Sequence, residues 1–87
     1  MTQGIAEVLA AEVRRRRAVL RLTQQDLAQL AGVSERFVRF VEQGKPSVQL
    51  DSLVAVLETL GLELKVTARN SQAARAAGPP VENSPGQ

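Results

Sequence analysis

A mainly α fold of four helices followed by one C-terminal β-strand is what this sequence predicts, on three observations. Four stretches with helical apolar spacing occupy residues 5 to 60. Gly32, Gly44 and Gly61 stand where three of those stretches would end. Then "GLELKVTAR", Gly61 to Arg69, switches to period two: Leu62, Leu64 and Val66 alternate with Glu63, Lys65 and Thr67, as in a strand with one buried face.

The elements follow in chain order. From about Ile5 to Leu20, Ile5, Leu9, Val13 and Leu20 share one helical face, with Ala6 and Val8 beside it. Thr23 can cap a second helix, and Asp26 three residues later completes a capping box. That helix runs from Gln24 to Ala31 and is predicted to bury Leu27, Ala28 and Leu30. Gly32 stops it, Val33 returns to the core and Ser34 caps a third helix from Glu35 to about Gln43. Gly44 and Pro46 prevent its continuation. The fourth helix buries Leu50, Leu53, Val54, Leu57 and Leu60, spaced i, i+3, i+4, i+7 and i+10. These elements form one domain, residues 1–69. Residues 70–87 are rich in Ala, Gly, Pro, Asn and Ser with Val81 as the one large aliphatic, and are predicted to be a disordered tail.

Composition narrows the chemistry. The 87 residues contain neither His nor Cys, which removes the usual general bases, thiol nucleophiles and transition-metal ligands. No Gly-rich phosphate loop is present either. The expectation is a protein that is not an enzyme, with no metal and no cofactor. No apolar stretch approaches the roughly 18 residues of a membrane span, and the lack of cysteine fits a reducing compartment, so a cytoplasmic protein is expected. Net charge is only +2, but Arg14 to Arg17, Arg21, Arg36, Arg39 and Lys45 all lie in the first 45 residues. That clustering favours an anionic partner.

The two short helices joined by "AGVS" form a helix-turn-helix. At 100° per residue, Phe37, Val38 and Val41 point to one side of the third helix, and Glu35, Arg36, Arg39, Phe40 and Gln43 fill the opposite arc. Such a face suits the major groove of double-stranded DNA. Arg36 is the first choice for base reading, because Arg bonds guanine O6 and N7 together. Glu35 could accept from cytosine N4, or could orient Arg36 or Gln24. Arg39 could meet a base or a phosphate. Phe40 could touch a thymine methyl, or pack sideways near Pro46. Four consecutive arginines span about 300° of a helix, so Arg14 to Arg17 cannot share one face.

"TQQDLA", "GVS", "EQGKP" and "LGLELKV", within Leu22 to Val66, resemble the Xre/Cro-like helix-turn-helix repressors. "GKPSVQLDSL" and the strand are similar more narrowly to HipB-type antitoxin regulators of type II toxin–antitoxin operons. The resemblance implies backbone contacts to DNA from Thr23, Gln24 and Lys45, with Ser34 in the same DNA-facing set. It implies a structural ion pair between Arg17 and Glu42. Phe40 departs from the family, where this position is usually polar or charged, and Arg21 stands where Gly is common. The resemblance also implies a homodimer in which Leu62, Leu64 and Val66 belong to an intersubunit sheet. A lone apolar-faced strand needs a partner in any case, and this chain offers no second one. Two recognition helices related by a two-fold axis imply an inverted-repeat operator. The expected function is therefore a sequence-specific DNA-binding repressor, nucleoid-associated when bound. By resemblance it is the antitoxin that autoregulates a HipBA-like operon and neutralises a HipA-like kinase toxin. The alternatives are a protein-interaction module that inhibits a partner enzyme, and a stand-alone Xre-type regulator.

Overall fold

The computed structural model describes residues 4–68 and 72–73. Among them are four helices, α1 (Ile5–Val19), α2 (Gln24–Ala31), α3 (Glu35–Glu42) and α4 (Leu50–Thr59). Residues 62–68 carry neither helix nor sheet pairing in the single chain. The tail expected from Asn70 lies outside the described residues, apart from Gln72 and Ala73.

The helices meet because each contributes small or branched aliphatics to one core. Val13 from α1, Leu27 and Ala28 from α2, Val38 and Val41 from α3, and Leu53, Val56, Leu57 and Leu60 around α4 are all buried. Val33, Phe37, Leu22 and Leu62 pack against them from the connections and edges. Full burial of a side chain such as Leu27 or Leu60 contributes about 1.5–3 kcal/mol. α3 lies between α1 and α2, and α4 closes the core against α2.

Several apolar residues expected inside are outside. Leu30 is 65% exposed. The inward arc of α2 is set by Leu27, Ala28 and Ala31, and at 100° per residue Leu30 falls about 105° from its centre. In α1 the buried line runs through Ala10 and Val13, where a small side chain lets α3 approach. Ile5, Val8 and Leu20, the C-cap of α1, are exposed. Leu50, at the first position of α4, is also exposed, whereas Val56, outside the expected stripe, is fully buried.

Each helix ends in a left-handed residue. In α1 the Leu22 N–H donates to the Arg17 carbonyl at 3.0 Å and the Arg21 N–H to Ala18 at 3.1 Å, the paired bonds of a Schellman turn. The turn requires a left-handed residue. Gly32, Gly44 and Gly61 supply it after the other helices with φ between 74° and 75°, but after α1 the residue is Arg21, at φ 60°. Left-handed geometry costs an L-residue roughly 1–2 kcal/mol, partly offset because Gly would gain freedom in the unfolded chain. Arg21→Gly is therefore expected to stabilise the domain by about 0.5–1 kcal/mol. Urea denaturation of the two proteins checks this, and an unchanged or lower midpoint contradicts it.

Candidate nucleic-acid interface

Side-chain caps place the helix starts. Thr23 Oγ1 accepts from the Asp26 N–H at 2.9 Å while Asp26 Oδ2 accepts from the Thr23 N–H at 3.0 Å. These bonds hold the Asp26 carboxyl below its ordinary value. Ser34 Oγ accepts from the Phe37 N–H at 3.0 Å. Thr23 and Ser34 thus keep their hydroxyl protons for another acceptor, beside helix N-termini whose free N–H groups favour an anion.

The outward face of α3 is organised as two i, i+4 pairs. Arg39 Nη1 lies 3.1 Å from Glu35 Oε2, so Glu35 turns to Arg39 and not to Arg36 or Gln24. Arg36 Cζ lies 5.3 Å from the centroid of the Phe40 ring. All four residues are exposed. Val38 and Val41 occupy the opposite, buried side of the helix, and Glu42 is buried at the edge between the two faces. The structure thus separates a polar and cationic face from a packed one within eight residues, and Arg36 sits in the N-terminal turn, the part of a recognition helix that meets base edges.

The orientation of that face is fixed from beneath by Glu42, which is 7% exposed. Its carboxylate accepts from Arg17 Nε at 2.7 Å and Arg17 Nη2 at 3.0 Å, and from Gln24 Nε2 at 3.0 Å. Arg17 Nη1 also donates to the Leu22 carbonyl at 2.9 Å. One carboxylate therefore ties α1, α2 and α3 together, and one guanidinium holds the α1–α2 connection. Burial alone would raise the Glu42 carboxyl. The hydrogen bonds from Arg17 and Gln24, with the charges of Arg17 and Arg14, outweigh it and hold the group below its ordinary value.

The arginine run disperses, as its angular spread requires. Arg14 Nη1 donates to the Glu42 carbonyl and Arg16 Nε to the Leu60 carbonyl at 3.0 Å. Each places a cation at a helix C-terminus, where it complements the dipole. Arg15 pairs on the surface with Glu12. The roles of Arg14 and Arg16 have no signal in the sequence, since they depend on where α3 and α4 end in space. Gln24, expected at the DNA, spends its amide on Glu42, while Lys45 is exposed just after α3. Leu64 and Val66 are 42% and 101% exposed, and Leu62 is half-buried against α4.

A capped pair of short helices, locked by a buried ion pair and presenting one charged face, defines a helix-turn-helix domain. The chain belongs to the family described as "Helix-turn-helix domain", which matches residues 8–70. A curated relative, the uncharacterized HTH-type transcriptional regulator y4mF of Sinorhizobium fredii (strain NBRC 101917 / NGR234), is 43% identical over 47 residues. The match covers 54% of this chain and 62% of that protein, so the chain spans under two thirds of the relative's length. Among solved structures, "MDT Protein" and a chain from "Structure of HipA-HipB-O2-O3 complex" share the fold, each with a TM-score of 0.68 at 18% identity. Each covers 80% of this chain and 99% of its own.

The Glu42 network has a measurable consequence. Removing Arg17 strands a buried carboxylate, so Arg17→Ala is expected to cost about 3–5 kcal/mol, and Glu42→Ala, which leaves a part-exposed guanidinium still bonded to the Leu22 carbonyl, is expected to cost less. The double variant should lose less than the sum. Because the Glu42 carboxyl is depressed in the folded chain, its contribution is present above the ordinary value of 4.5 and is lost as pH falls through the folded value. Urea denaturation at neutral and acid pH checks both points, with Glu42→Gln expected to flatten the acid limb. Parent-like unfolding of the single variants contradicts the assignment.

Proposed function

We propose that this chain is a homodimeric, sequence-specific DNA-binding repressor. The observation that carries the reading is the outward face of α3, with Glu35, Arg36, Arg39 and Phe40 exposed on a helix whose other side is locked by Glu42. Arg36 and Arg39 address base edges, while Thr23, Ser34 and Lys45 fix the register on the phosphate backbone. The alternating residues 62–68, unpaired in the single chain and with Leu64 and Val66 exposed, favour pairing with the same stretch of a second chain, which would leave no open strand edge. Two recognition helices then address half-sites roughly 34–36 Å apart.

The regulatory reading extends to an antitoxin. The fold shared with a chain of the HipA-HipB-O2-O3 complex supports a HipA-like kinase toxin as partner, with the pair autoregulating its own operon. Such a protein works in the cytoplasm, on the nucleoid when bound to DNA.

A second reading is favoured by one feature. An apolar groove of about 270 Å³ lies between α1 and α4, lined by Ile5, Leu9, Val48, Leu50 and Leu64. It suits an interaction module that inhibits a partner enzyme with little DNA binding. Selection of sites from random duplex DNA by the purified protein separates the two. Enrichment of an inverted repeat is the expected outcome, and a folded protein that enriches nothing sinks the repressor reading in favour of the module. On the selected site, Arg36→Ala is expected to cost about 1–3 kcal/mol at one base position per half-site. Lys45→Ala should instead weaken all sequences alike and flatten the salt dependence by about one phosphate per protomer.

A further inference from the structure

We propose that Phe40 is a positioning residue for Arg36, a platform that fixes the plane of the guanidinium and so sharpens its choice of base. The inference rests on the DNA-reading assignment of α3. It starts from a difference between the two arginines of that face. Arg39 is held by Glu35 at 3.1 Å, which occupies part of its hydrogen-bonding fork and cancels its charge locally. Arg36 has no acidic partner among the described residues, and it stands over the Phe40 ring at 5.3 Å.

Stacking orders a guanidinium without using any of its five N–H donors, because the ring meets its flat face while the donors point outward in its plane. A planar fork with free edges fits a base that offers two adjacent acceptors, as guanine does through O6 and N7. Ordering the side chain before DNA arrives also removes part of the entropy otherwise lost on contact. The ring is available for this work. Phe40 is 37% exposed, and it is Phe37 that packs against the core. The i, i+4 spacing of residues 36 and 40 keeps the pair on one helical face.

The test uses the full chain, its selected operator, and operators altered at single positions. The position that Arg36→Ala renders indifferent is identified first. Phe40→Leu, which keeps an apolar side chain but no ring, is then expected to lower discrimination at that same position by on the order of ten-fold. Phe40→Tyr restores the ring and should restore discrimination. Adding Phe40→Leu to Arg36→Ala should change nothing further there. In the free protein, the Arg36 side-chain protons should show an upfield ring-current shift that Phe40→Leu removes. Unchanged discrimination in Phe40→Leu overturns the proposal. So does a loss confined to a thymine position, which would make Phe40 a methyl contact in its own right. If Arg36→Ala leaves every position unaffected while binding persists, this inference fails and the repressor reading stands. If the parent chain selects no site, both fall together.

Discussion

Everything this domain presents to the outside is oriented by one buried carboxylate. Glu42 is the last residue of α3, and its oxygens are shared by a guanidinium from α1 and an amide from α2. Placing a charge in an interior is costly unless its hydrogen-bonding capacity is filled, and here three donors fill it at 2.7–3.0 Å. The arrangement is directional in a way that aliphatic contacts are not. A core of Leu, Val and Ala tolerates sliding, and of the two aromatics in the chain only Phe37 packs against it, half-buried at its edge. The ion pair supplies the missing angular definition, so that α3 cannot roll about its axis without breaking it. Arg14, reaching the carbonyl of the same residue, fastens the helix end as well as its side chain.

The four helices were legible in the sequence because their ends are written in residues that do little else. Thr23 with Asp26, Ser34, and the glycines at 32, 44 and 61 locate boundaries through chemistry that operates within a few residues. Inward faces were legible only where several neighbours agree. α2 is eight residues long, so the neighbouring Ala28 and Ala31 moved its inward arc away from Leu30. Leu50 and Ile5 carry the right spacing yet sit at helix starts that no other described residue covers, beside the open groove. Periodicity reports direction around an axis. It does not report whether another element extends far enough to meet the side chain.

The site was legible as a face and less so as a set of contacts. Composition and angle place Glu35, Arg36, Arg39 and Phe40 on the outer arc of α3, and the resemblance to helix-turn-helix repressors supplied the Arg17–Glu42 pairing. Neither indicates that Glu35 would choose Arg39, or that Arg36 would lie over Phe40, because both choices depend on rotamers. The arginine run shows the same limit. Its four side chains leave α1 in different directions and end on a carbonyl of α3, a carboxylate of α1, a carbonyl of α4 and the buried carboxylate of Glu42. A cluster that looks like one cationic patch in the sequence is largely a set of fasteners.

The two i, i+4 pairs on α3 also constrain how this surface can change over generations. Each of the four positions already has an occupant leaning on it, so the face is spelled in two-residue units, 35 with 39 and 36 with 40. Replacing Glu35 alone releases the charge of Arg39, and replacing Arg36 alone leaves an uncovered ring in water. Intermediates that alter one member are handicapped even before any operator is considered. Change on this face would then proceed by exchange of whole pairs, and the record of that history in related chains would be covariation at a spacing of four.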